Sequence, residues 1–143
     1  MTTPKADVLL VEDSAAEARL AREALTETRF AVRLHVASDG VEAMEFLRRE
    51  GPYHEAPRPK LVLLDLNLPR KDGREVLRDI KADEDLRSIP VVILTTSQAP
   101  SDISHAYELY ANCYIQKPLE LDGFIEIVKS IHRYWLQTAE LPA

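Results

Sequence analysis

The strongest constraint on this chain is an alternation that runs from end to end. Short apolar, β-branched runs take turns with longer segments of helical period. The runs are Asp7 to Val11, Val32 to Val36, Leu61 to Leu64, Val91 to Leu94 and Cys113 to Ile115. Those at Leu61 and Val91 are apolar at every position, as strands buried on both faces of a parallel sheet must be. Between them, Ala16, Leu20 and Ala24 share a helical face with Ala21 and Leu25, and Ser14 with Glu17 makes a capping box ahead of it. Val41, Met44 and Leu47 repeat the spacing behind Asp39 and Glu42, and Val76, Leu77 and Ile80 follow Gly73. Ile103, Ala106, Tyr107 and Tyr110 follow Ser101, and Phe124, Ile127, Val128, Ile131 and Trp135 mark the last helix.

Five strand–helix units in succession imply crossover connections and a parallel sheet covered by helices on both faces. The expected architecture is α/β, with five parallel strands in the flavodoxin-like order 2-1-3-4-5. Sites in such sheets lie at the carboxyl ends of the strands flanking the switch point. A length of 143 residues fits one domain, 1–143, with its core from about 6 to 136. The proline-rich stretch Gly51 to Pro59 is expected to be a stiff surface loop.

Composition removes several functional classes. The 24 acids outnumber the 18 bases, for a net charge of −6, so a nucleic-acid backbone is not the expected partner. A single cysteine, Cys113, excludes an internal disulfide and a multi-thiolate metal site. The four histidines, His35, His54, His105 and His132, have no ligand spacing. The apolar runs are far too short to cross a bilayer and the first residues have no signal-peptide pattern, so a cytoplasmic location is expected.

The residues just past the strands carry the chemistry. They are Glu12 and Asp13, then Asp65, then Thr95 and Thr96, then Lys117. In the expected strand order three carboxylates, a hydroxyl and an ammonium converge on one rim. Three acids together repel unless a cation sits among them. Hard oxygen donors without nearby His or Cys suit Mg²⁺, which favours phosphate as a further ligand. Lys117 and Thr95 can hold phosphoryl oxygens, and an Asp carboxylate can be the nucleophile. Metal-assisted phosphoryl transfer onto Asp65 is the chemistry indicated. Taken singly, each residue has a bland reading: Asp13 as a turn or cap residue, Thr95 as a common strand-end residue. Asp65 resists one, because it directly follows Leu61 to Leu64 at the edge of a buried strand.

These residues resemble the receiver domains of two-component response regulators, from about Ala6 to Trp135. VEDS at 11–14 is similar to the family's acidic pair. LLDLNLPRKDG, from Leu63 to Gly73, is similar to its phosphoacceptor strand, PVVILTTS from Pro90 to its fourth strand, and YIQKP from Tyr114 to its fifth. The resemblance implies that Asp65 accepts a phosphoryl group from a sensor histidine kinase. It implies Mg²⁺ held by Asp13, Asp65 and the Asn67 main-chain carbonyl, with Glu12 acting through water. Lys117 and Thr95 are then the phosphoryl partners, Thr95 and Tyr114 the switch pair, and Asn67, Thr96 and Ser97 the positions that tune phosphoryl lifetime. Thr96 departs from the smaller residue usual beside the signalling Thr95. The resemblance also implies a cis Lys117–Pro118 peptide.

DLNLPRKDGREVL and YELYANCYIQKP look most like stand-alone regulators paired with bacterial phytochrome kinases. With only Gln137 to Ala143 after the last helix, no output domain is expected. Output then passes through an unknown downstream protein or a homodimer formed by the fourth helix, fifth strand and fifth helix. Tyr134, Trp135, Leu136 and Leu141 exceed what one buried stripe requires, although core packing also accounts for them.

Three other readings compete. A degenerate receiver would bind partners without phosphorylation, yet every chemical residue is present. A Mg²⁺-dependent aspartyl phosphatase of the haloacid dehalogenase type needs D-x-D after its first strand, where this chain has Glu12-Asp13-Ser14. A flavin-binding module needs hydroxyls and glycines in its first loop, not two acids. The chain is therefore expected to accept a phosphoryl group itself and not to turn over a separate substrate.

Overall fold

The computed structural model describes residues 6–26 and 32–142. Five parallel strands, β1 (Ala6–Val11), β2 (Val32–Ala37), β3 (Leu61–Leu64), β4 (Val91–Thr95) and β5 (Cys113–Gln116), form one sheet in the order β2-β1-β3-β4-β5. The helices are α1 (Ala15–Thr26), α2 (Gly40–Arg48), α3 (Gly73–Ala82), α4 (Pro100–Glu108) and α5 (Leu121–Ile131). A π-helical segment, His132–Thr138, continues α5.

Strand periodicity explains why the runs are apolar throughout. Val8, Leu10, Leu61, Leu63, Val92 and Leu94 face α1 and α5, packing with Ala21, Phe124 and Val128. Leu9, Val11, Val62, Leu64, Val91 and Ile93 face the other way, onto Met44, Leu77, Ile80 and Ala106. Successive side chains take opposite faces, so both sets must be apolar when both faces are covered. The topology is the one the alternation implies.

Four local expectations need correction. The buried face of α1 runs through Ala18, Ala21, Ala24 and Leu25, whereas Ala16 is exposed. Alanine spacing alone does not fix which stripe meets the sheet. On α4 only Ala106 is buried; Tyr107 is 48% exposed and Tyr110, beyond the helix, is 76% exposed at φ 70. Gly51 to Pro59 is not merely a surface loop. Its 3₁₀ turn, Gly51–Tyr53, brings the Tyr53 ring edge-on to Phe46 at 5.5 Å, and the Tyr53 hydroxyl donates to Glu42 at 2.7 Å. Pro59 is buried. Finally, no cis peptide occurs among the described residues, so Lys117–Pro118 is trans, the lower-energy isomer of an X–Pro bond by a small margin.

Among the described residues no helix is long and apolar enough to cross a membrane.

Candidate phosphoryl-transfer site

The site is built by strand ends at the switch point, where β1 turns toward β2 and β3 toward β4. The ladder continues one residue past the strands: Glu12 N donates to Ala37 O at 3.0 Å, and Asp65 N donates to Val11 O at 3.1 Å. Lys117 N donates to Thr95 O at 2.6 Å. The backbone thus delivers Glu12, Asp65, Thr95 and Lys117 to one rim before any side chain contributes.

Glycine makes room for the arrangement. Gly73, at the start of α3, approaches Asp65 so closely that a Cβ there would lie 2.1 Å from the Asp65 carbonyl oxygen. Asp72 caps that helix, its side chain accepting from Arg74 N.

Glu12, Asp13 and Asp65 each present an oxygen, all within 4.8 Å of one another. Glu12 and Asp65 are buried, while Asp13 is exposed. At that separation two carboxylates repel by roughly 3 kcal/mol for an effective dielectric of 20. Lys117 offsets part of this. Its side chain is 3% exposed, and Nζ donates to Glu12 at 2.6 Å, to Glu17 at 2.9 Å and to Asp65 at 3.2 Å. Burial disfavours the ammonium, but hydrogen bonds to Glu12 and Glu17, with the Asp65 charge, raise its pKa above the ordinary lysine value. Burial pushes the Glu12 carboxyl up to about 7, against the pull of Lys117.

Three carboxylates thus share one ammonium, and Asp13 stands beside two of them. Glu12, Asp13 and Asp65 offer hard oxygens, two of these residues buried and one open to solvent. This set fits a small divalent cation of the Mg²⁺ type.

The structure brings Glu12, Asp13, Asp65 and Lys117 together as expected. Thr95 is fully buried and its hydroxyl has no hydrogen-bond partner among the described residues. Asn67, exposed, donates its N–H to Asp65 Oδ1 at 3.3 Å. Thr96 is exposed. Tyr114 is half-buried and its hydroxyl donates to Ser97 O at 2.9 Å, so Tyr114 and the β4–α4 loop are joined directly.

Glu17 is the residue that sequence reasoning misplaced. Ser14 Oγ does accept from Glu17 N at 3.2 Å, as a capping box requires. The reciprocal bond is absent, because the Glu17 carboxylate is on Lys117 and Ser14 N donates to Glu12 instead. A carboxylate one helical turn past the acidic pair was the available signal.

Comparison with known proteins agrees with this geometry. The model of the response regulator receiver domain matches residues 8–129. Response regulator Rcp1 of Synechocystis sp. is 48% identical over 142 residues, covering 99% of this chain and 97% of Rcp1. The crystal structure of its Mn²⁺-bound form superposes with a TM-score of 0.93, at 96% and 99% coverage. The phosphorylated cyanobacterial phytochrome response regulator RcpA is 50% identical with a TM-score of 0.95, covering 98% of this chain and 100% of that one. The aspartyl phosphatase reading is not favoured by any of these likenesses. The chain belongs to the response regulator receiver domain family and is a homologue of phytochrome response regulators.

Proposed function

We propose that this receiver is switched by phosphorylation of Asp65 by a sensor histidine kinase of the phytochrome type. The observation that carries the reading is Asp65 itself: a buried carboxylate bonded to a buried lysine and grouped with Glu12 and Asp13. The kinship with a regulator crystallised phosphorylated and one crystallised with Mn²⁺ supports it. Asp13, Asp65 and the Asn67 carbonyl would hold Mg²⁺, with Glu12 acting through water. The ion supplies charge neutralisation at the phosphoryl oxygens as they approach the acids.

The chain's own residues do the rest. A carboxylate oxygen of Asp65 bonds to phosphorus as the P–N bond of phosphohistidine breaks, and the imidazole leaves neutral when its other nitrogen carries a proton. The product carries more charge and more acceptor oxygens than the carboxylate did. Lys117, already 3.2 Å from Asp65, trades carboxylate partners for a phosphoryl oxygen. The Thr95 hydroxyl, unpaired at present, gains an acceptor, and Tyr114 follows through Ser97. Asn67, Thr96 and Ser97 border the acyl phosphate and set how readily water removes it. The two arrangements differ in how they bind the phosphoryl group, which is what biases the switch.

On this reading residues 1–143 act as a single receiver domain in the cytoplasm, without turning over a separate substrate. The signal passes to a downstream protein or to a second copy through α4, β5 and α5. Exposed Tyr107 on α4, Tyr110 just past it, Leu121 on α5 and Tyr134 in the π-helical segment that continues α5 support that surface, while Trp135 and Leu136 are half-buried against the core. The test is labelling by acetyl phosphate with and without Mg²⁺, beside Asp65→Asn. Labelling of wild type alone, lost on chelation, is expected; equal labelling of Asp65→Asn overturns the assignment.

A further inference from the structure

Thr95 Oγ1 is the one buried side-chain oxygen or nitrogen among the described residues that has no hydrogen-bond partner. An unpaired buried hydroxyl is costly, so other contacts must hold the chain around it in place. They lie two residues downstream. Ser97 Oγ donates to Asp102 Oδ2 at 2.5 Å, and Ser97 O accepts from Tyr114 Oη at 2.9 Å. Asp102, in the first turn of α4, uses its other oxygen to accept from Arg74 Nη2 at 2.8 Å. Arg74 Nη1 also donates to Asp72, the cap of α3. The result is a polar chain, Asp72–Arg74–Asp102–Ser97, that ties the starts of α3 and α4 to the end of β4. The Ser97 hydroxyl and Arg74 both favour the ionised Asp102 carboxylate, holding its pKa below the usual value.

We infer that Asp102 is a positioning residue: backed by Arg74, it hooks Ser97 and holds the β4–α4 loop in the arrangement that leaves the Thr95 hydroxyl without a partner. Asp102 has no hydrogen bond or ion pair with Asp65 or Lys117 and acts only through the loop. Its bonds favour the unphosphorylated state, so the phosphoryl group must outbid them to draw Thr95 toward it. Loosening the hook therefore raises the population of the competent state and the apparent affinity for a phosphoryl analogue. The inference rests on Asp65 being the phosphoacceptor.

The experiment is calorimetric titration of the full chain with beryllofluoride in Mg²⁺, for wild type, Asp102→Ala, Ser97→Ala, the double variant and Asp102→Asn. Asp102→Ala and Ser97→Ala should each bind about tenfold tighter, as loss of one charge-assisted hydrogen bond implies. The double variant should be no tighter than either single one, because both cut the same link. Asp102→Asn, which keeps an acceptor for Ser97, should fall back toward wild type. A role confined to the charge at the α4 amino end would instead make Asn behave as Ala, with no gain in affinity. Should Asp102→Ala not fold, Ser97→Ala carries the test. Unchanged or weaker binding in the single variants that fold, with wild type binding normally, overturns the hook alone. Absence of binding by wild type overturns the Asp65 reading and the hook with it.

Discussion

Lys117 Nζ lies closer to Glu17, at 2.9 Å, than to Asp65, at 3.2 Å. The buried ammonium is thus shared with a carboxylate on α1 that must give way when the phosphoryl group arrives. Glu17→Gln removes that competitor while preserving shape. Labelling by acetyl phosphate should then be severalfold faster, the effect of losing about 1 kcal/mol of charged hydrogen bonding. Slower labelling would mean that Glu17 delivers Lys117 to the site instead of competing for it.

Lys117→Ala leaves Glu12 and Asp65 buried without their cation. Removing one member of a buried ion pair costs about 3–5 kcal/mol. Thermal unfolding should show a loss of that order, partly restored by Mg²⁺, because a divalent cation relieves the same repulsion. An equal loss with and without Mg²⁺ would contradict a metal site among these acids. Some labelling of Asp65 should survive, but beryllofluoride should no longer alter the environment of Tyr114 as seen by NMR.

Much of this was legible in the sequence. Five apolar runs set the sheet, because residues buried on alternating faces leave no polar position in β3, or in β4 before Thr95. The strand ends then placed Glu12, Asp13, Asp65, Thr95 and Lys117 without side-chain information. What was not legible depended on choices among competing partners. Glu17 satisfies a capping pattern locally, yet Lys117, 100 residues away, takes its carboxylate. Tyr107 and Tyr110 have the spacing of a buried face, but α4 turns only Ala106 inward. The hook on Ser97 joins Arg74 to Asp102, residues 28 apart with no motif between them.

Gly73→Ala should damage both stability and chemistry. The added Cβ would lie 2.1 Å from the Asp65 carbonyl oxygen and 2.7 Å from Leu66 Cα, so backbone must move. A loss of about 3 kcal/mol in chemical denaturation is expected, with slower labelling of Asp65. Wild-type behaviour in both measurements would contradict the close approach of α3 to the phosphoacceptor.

His132 gives the fold a pH dependence of known sign. It is 1% exposed, and burial lowers its pKa below the ordinary 6.5. The unfolded chain therefore binds a proton near about 6.5 that the folded chain takes up only at lower pH. His132 stabilises the fold above that value, and its contribution is lost as pH falls from 7 toward 5. One proton limits the slope to about 1.4 kcal/mol per pH unit. Relative to wild type, His132→Gln should lower the slope of stability against pH in this window, where Glu12, its carboxyl raised to about 7, contributes with the opposite sign; urea unfolding at several pH values measures the difference. An unchanged slope would remove His132 as its source.

The central claim is tested most directly by locating the phosphoryl group. Acetyl phosphate labelling in Mg²⁺, borohydride trapping of the acyl phosphate and tryptic mapping separate the site's acids. Asp65 falls on the peptide from Leu61 to Arg70, and Glu12 and Asp13 on the one from Ala6 to Arg19. The account predicts modification of the first peptide alone, at Asp65. Modification of the second, or of neither, would contradict it.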